Sequence, residues 1–182
     1  MRRIAAALSL LVLVLAVAAS PSSAQARGYV GAGGGVSVAS GTFNDQSETG
    51  FTLHVVAGIS GGARGLIGGR VNGSWARHSD KAGDGKTRFI GAMGDIVISP
   101  GTPGSGARLY FLGGAGFQGI KEEVLGVSAT ETKFAVNFGG GLLVRAASNL
   151  GLSFEARYLS VRTEGNSTNM IPVTLGLRFG GL

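Results

Sequence analysis

An all-β fold, an eight-stranded antiparallel up-and-down barrel, is what three features of this 182-residue chain predict. The first is strict alternation in its clearest hairpin, Lys133 to Ser160. There Phe134, Val136, Phe138, Leu142 and Val144 alternate with Lys133, Asn137 and Arg145. After a tight Ser148-Asn149 turn, Leu150, Leu152, Phe154, Ala156 and Tyr158 alternate with Ser153, Glu155 and Arg157. A period of two means strands with two chemically distinct faces. The second feature is that such segments recur along the chain, joined by links that take turns at being long and short. The third is composition: 34 glycines and no cysteine, so backbone pairing and packing, not disulfides, must hold the molecule together.

The N-terminus is read apart from the strands. Met1, Arg2 and Arg3 form a basic start, Ile4 to Ala19 is an almost unbroken apolar run, and Ser22-Ser23-Ala24 before Gln25 fits a small-residue cleavage site. The apolar core of this run is shorter than the ~20 residues needed to span a bilayer. Residues 1–24 are therefore expected to be a cleaved signal peptide and residues 25–182 one domain. The net charge of +6 falls to +4 once Arg2 and Arg3 leave. That mild balance, with no basic run or aromatic platform, gives no reason to expect nucleic acid.

Eight strands follow. Gly28 to Val38 is the first. Phe51 to Ser60 is the second, with Phe51, Leu53, Val55, Ala57 and Ile59 on one face and His54 on the other. Gly65 to Arg77 sets Ile67, Val71 and Trp75 against Arg70, Asn72 and Ser74. Thr87 to Ile98 sets Ile90, Ala92, Ile96 and Ile98 against Asp95. Leu109 to Gly119 is the fifth, the clearest hairpin supplies the sixth and seventh, and Asn169 to Phe179 sets Ile171, Val173, Leu175, Leu177 and Phe179 against Thr174 and Arg178. No stretch after the signal has a helical period.

The links Ala39 to Gly50, His78 to Lys86, Ile120 to Thr132 and Thr163 to Thr168 are longer and more polar. Gly61 to Arg64 and Ala147 to Asn149 are tight turns, and Ser99 to Gly106 is a compact Pro/Gly segment. This alternation describes a meander with one decorated end and one plain end, the pattern of transmembrane barrels with short periplasmic turns and longer extracellular loops. An even strand number puts both termini at the plain end. A closed sheet satisfies its backbone internally and can cross lipid, and eight strands enclose an interior just wide enough for side chains. The apolar face then belongs outside and the charged face inside.

The interior is expected to hold a polar network of His54, Arg70, Asp95, Arg145, Glu155, Arg157 and Arg178. A register set by the Ser148 turn places Glu155 opposite Gly141, Arg157 opposite Gly139 and Arg145 opposite Gly151, so long ionised chains face glycines. Unpaired charge in so narrow a space is costly, so some of the arginines should neutralise Glu155 and Asp95, leaving no open pore. Outside, Phe51, Trp75, Phe117, Phe134 and Tyr158 should form an aromatic girdle near the long-loop end, with Phe111, Phe154 and Phe179 nearer the other. Beyond the upper girdle Arg77, Arg88, Lys121 and Arg162 form a basic ring suited to lipid phosphate or to snorkelling at the interface.

The blocks Leu112-Gly-Gly-Ala-Gly-Phe117, Phe134-Ala-Val-Asn-Phe-Gly-Gly-Gly141, Phe154-Glu-Ala-Arg-Tyr158 and Ile171-Pro-Val-Thr-Leu-Gly-Leu-Arg-Phe179 resemble successive strands of the bacterial outer-membrane β-barrel domain family, the small OmpA- and OmpX-like barrels. The chain departs from the usual pattern in running past Phe179 with Gly180, Gly181 and Leu182. The resemblance implies a monomer in the outer membrane of a Gram-negative cell envelope, exported and then handled by periplasmic chaperones and the barrel-assembly machinery. Its partners would be outer-membrane lipid, lipopolysaccharide included. The implied role is structural, adhesive or surface-interacting, with no cofactor and no metal.

Other function classes find less support in the residues. Gly114-Ala-Gly-Phe-Gln-Gly119 has the spacing of a dinucleotide motif but no βαβ context. Gly83-Asp-Gly-Lys-Thr87 has Asp80 where a phosphate loop needs glycine, and Asp80 with Asp84 lacks a calcium loop's third acid. A lipid A-modifying hydrolase would have to use His54 or His78, with Ser153 and Glu155 on the same face as His54. A small pore and a soluble periplasmic lipocalin-like barrel complete the alternatives. The surface for a partner would be loop residues such as Phe43, Asp45, Glu48, Asp80, Asp84, Glu122 and Glu123.

Overall fold

The computed structural model describes residues 27–61, 66–81, 85–100, 106–124, 127–163 and 166–180. The signal segment 1–24, Asp84 and the side chains of Glu122 and Glu123 lie outside the described residues. The elements are β1 (Arg27–Ser40), α1 (Thr42–Gln46), β2 (Gly50–Gly61), β3 (Ile67–Ser79), β4 (Lys86–Ile98), β5 (Ala107–Val124), β6 (Val127–Arg145), β7 (Leu150–Thr163) and β8 (Asn166–Gly180). Each strand pairs antiparallel with the next, and β1 pairs with β8, which closes the barrel.

The strands are tilted as closure requires. The register row that starts at Tyr29 runs through Gly58, Arg70, Asp95, Gly114, Asn137, Leu159 and Met170 and returns to β1 at Ala39, ten residues further along the strand. One inward row thus climbs from the turn end to the loop end.

The outer surface is apolar. Ile90 is 65%, Leu175 67% and Phe138 63% exposed, and Phe51, Leu53, Val55, Ile96, Phe111, Phe117, Leu152, Phe154, Leu177 and Phe179 share that side. A band of this kind on a closed ladder is what lipid contact demands. Among the described residues no helix is long and apolar enough to cross a membrane.

Three segments differ from their sequence reading. Ile120 to Thr132 is mostly strand, because β5 and β6 continue as one hairpin to Val124 and Val127; its Thr and Val residues favour extended backbone even without apolar alternation. Likewise β7 and β8 run into the expected Thr163 to Thr168 loop. The Ala39 to Gly50 link contains α1, entered through Gly41 at φ 62°, a left-handed conformation that favours glycine. A single turn of helix is too short to leave a periodic signature.

Candidate functional site

The inward face is not uniformly charged. It is layered, with an ionic centre between two apolar clusters. Toward the loops, Ala76, Phe89, Met93, Ile120, Ala135, Leu159, Val161 and Met170 pack together, with Phe43 of α1 lying against them. Toward the turns lie Val97, Tyr110, Leu112 and Leu143.

The centre is built on Glu155. Arg70 clamps it with two bonds, Nη1 to Oε2 at 2.6 Å and Nη2 to Oε1 at 2.9 Å. The Arg157 Nε lies 3.0 Å from Oε1, and the Tyr110 hydroxyl donates to Oε2 at 2.7 Å. The Arg70 Nε reaches Asp95 at 2.9 Å, and Asp95 also accepts from Asn137 Nδ2 at 3.0 Å. Two buried carboxylates thus share two buried guanidinium groups, and each carboxylate takes a neutral donor besides. Such satisfaction is what makes buried charge tolerable.

Glycines make the room. Glu155 does face Gly141 and Arg157 does face Gly139. A Cβ on Gly141 would lie 2.5 Å from the Tyr110 hydroxyl, and one on Gly114 would lie 2.4 Å from Asp95 Oδ1. Any side chain at either position would displace the network.

The remaining lumen residues go elsewhere. Arg178 does not reach either carboxylate; its Cζ sits 3.2 Å from the centroid of the Tyr29 ring, a cation–π contact. Arg145 does lie opposite Gly151, but it is exposed at the turn end and takes no part in the network. Its parity points inward, yet it closes β6, below the level at which carboxylates are available. His54 is buried, and its Nδ1 has no hydrogen-bond partner. No hydrogen bond joins His54, Ser153 and Glu155, so these residues do not form a nucleophilic relay. Among the described residues no three His, Asp or Glu gather as metal ligands.

The residues that alternation failed to single out are Tyr110, within the all-apolar run Leu109 to Leu112, and the apolar inward set on β4, where Phe89, Met93 and Val97 interleave with the outward Ile90, Ile96 and Ile98. The lumen is filled accordingly. Cavities of about 10 Å³ occur on either side of the centre, each about the room of one water.

At the loop end the β1–β2 link folds across the mouth. The Phe43 ring meets His78 at 5.2 Å and Phe89 at 5.7 Å, both edge-on. The His78 ring is held between Ser37 Oγ at 3.1 Å and the Glu48 carbonyl at 3.0 Å. Ser47 bridges Asp80, and Lys81 Nζ donates to the Asn44 carbonyl at 2.5 Å.

On the outside, Phe51 meets Trp75 at 6.4 Å and Phe117 meets Phe134 at 6.0 Å. Tyr158 pairs with Phe138 at 5.2 Å, not with Phe134. Arg77, Arg88 and Lys121 stand in one register row across β3, β4 and β5. Arg162 is apart, beside Ser167 on the far side of β6. The four bases are a stripe of three and an outlier.

Comparison with known proteins agrees with this architecture. The family model described as "Outer membrane protein beta-barrel domain" matches residues 8–179. Neisserial surface protein A is similar at 18% identity, TM-score 0.64, over 84% of this chain and 96% of that one. The N-terminal β-barrel domain of Pseudomonas aeruginosa OprF is similar at 17% identity, TM-score 0.54, over 87% and 99%. Ail, the attachment invasion locus protein of Yersinia pestis, crystallised with the heparin analogue sucrose octasulfate, is similar at 16% identity, TM-score 0.54, over 88% and 100%. These likenesses concern the fold. No curated protein sequence matches the chain.

Proposed function

The chain belongs to the outer membrane protein beta-barrel domain family, and on that premise we propose that it is a surface-interaction barrel of the bacterial outer membrane whose lumen does not conduct. The observation that carries the reading is the packed interior: among the described residues an ionic centre lies between apolar side chains on both sides, and the two cavities beside it have the room of about one water each. What such a molecule offers to a partner is its loops and its lipid-facing rim. Ail's crystal complex with a sulfated heparin analogue lends support to a surface role for this type of barrel. Membrane fractionation with surface protease shaving tests it: cleavage in the loops of a membrane-inserted protein is expected, and an intact soluble periplasmic protein would defeat it. Stepwise currents in planar bilayers would defeat the sealed lumen, and a lipid A mass spectrum altered by the protein would restore the enzyme reading.

The stripe of Arg77, Arg88 and Lys121, with Arg162 apart, is read as the contact to lipid phosphate. Three bases adjacent across neighbouring strands concentrate charge-assisted donors beyond the girdle. Replacing all four with Gln should leave folding in neutral detergent intact and reduce co-purified lipopolysaccharide; equal retention would remove the phosphate role and leave snorkelling.

A further inference from the structure

Among the described residues the turn end of the lumen carries arginine and no Asp or Glu. The described segments that build it, 27–33, 57–61, 66–69, 96–100, 106–113, 142–153 and 175–180, contain no Asp or Glu. The nearest carboxylates, Asp95 and Glu155, are already held by Arg70 and Arg157. Arg145 and Arg178 share one inward row with Gly151 between them, so their backbones stand about 9.5 Å apart, two inter-strand spacings, across a position with no side chain. Arg108 has the inward parity of Tyr110 and lines one cavity with Arg178, Tyr29 and Tyr110. The Nε of Arg178 is buried and has no hydrogen-bond partner. Two guanidinium groups, those of Arg108 and Arg178, therefore line a small concave mouth edged by two phenols, with the exposed Arg145 on the register row of Arg178, and none of the described residues there supplies the counter-charge that neighbouring cations require.

We propose that this mouth binds a carboxylate of an acidic peptide segment on the periplasmic side. A planar guanidinium matches a carboxylate in two-point geometry, and the mouth beside Arg108 and Arg178 is where such a group would dock. Arg108 and Arg178 line a cavity inside the barrel wall, whereas the acyl chains of a phospholipid must remain outside it. A lipid headgroup is therefore poorly placed to reach them. The assignment of this end to the periplasm rests on the outer-membrane reading above; the binding itself does not.

The test uses the folded protein in a nonionic detergent. A fluorescein-labelled pentaglutamate peptide is titrated by anisotropy, with pentaglutamine as control and phosphatidylglycerol vesicles in a parallel arm. Saturable, salt-sensitive binding of pentaglutamate alone is expected. Two exposed or half-exposed arginines without partners can be changed without touching the ionic centre, so the R108Q/R145Q variant should keep its heat-induced gel shift. Loss of two charge-assisted contacts should weaken its binding at least about tenfold. K86Q, at the opposite end, should bind like the parent. Absence of saturable binding, equal binding by R108Q/R145Q, or binding to the vesicles but not the peptide would each overturn the proposal. Because the assay needs no membrane orientation, its failure and a failure of surface shaving are separable.

Discussion

At the loop end the lumen closes on Phe43, Phe89, Leu159, Val161 and Met170, whereas at the turn end the smaller apolar cluster of Val97, Tyr110, Leu112 and Leu143 is edged by Arg108 and Arg178, with Arg145 exposed beyond them. Both mouths flank the same ionic centre. The loop-end stopper stands between it and the acids of the loop end, among them Asp45, Glu48, Asp80 and Glu131. The turn-end mouth places like charges near the centre and leaves them unneutralised. The contrast teaches that stability and recognition are divided along the axis: the centre and the stopper hold the barrel, and the turn-end arginines are available for binding.

The largest effect should come from the centre. Glu155→Ala leaves Arg70 and Arg157 buried with one carboxylate between them, and removing one member of a buried pair costs ~3–5 kcal/mol. Denaturant unfolding in detergent, followed by the gel shift, should show a lower midpoint; an unchanged midpoint would mean that water, not Glu155, balances Arg70. Next comes the stopper. Met170 is 1% exposed, and Met170→Ala should cost about 2–3 kcal/mol through the cavity it leaves. If the midpoint stays put, the loop-end packing is looser than the comparison requires.

Phe43→Ala should act locally. It forfeits edge contacts worth about 1 kcal/mol, so proteolysis in the β1–β2 link should quicken while the global midpoint barely moves. Arg108→Gln should shift stability least, by under ~0.5 kcal/mol, as a surface charge without a partner does. A large loss there would show that the turn-end mouth is structural and would erase the division between the ends.

Much of this was legible in the alternation, and the reason is lipid. Outward residues of β2, β6, β7 and β8 must be apolar, so where the inward partner is polar the pattern is clean, and the pairings of Glu155 with Gly141 and Arg157 with Gly139 follow from counting back from the turn. On β4 and β5 both faces are apolar at Phe89-Ile90, Ile96-Val97-Ile98 and Leu109 to Leu112. The period vanishes there, and with it any sign that Tyr110 would donate to Glu155. Arg145 shows a second limit. Parity gives the face of a strand but not the depth, and depth decided that this arginine would stand exposed at the end of β6 instead of joining the network.

Closure of the sheet also has a kinetic side. Seven of the strand pairs join neighbours in sequence, and the eighth joins β1 to β8 across the whole domain. On β1 that seam carries Gly31, Gly33, Gly34 and Gly35, set against Arg178, Gly176, Leu175 and Thr174. Glycine loses the most backbone freedom on ordering, and distant ends are the slowest to meet, so the seam is the natural last step of folding. Until β8 arrives, the growing sheet has two unpaired edges, which are templates for pairing with other chains. A chain cut short before β8 would therefore be an aggregation hazard, whatever the quality of the strands already made.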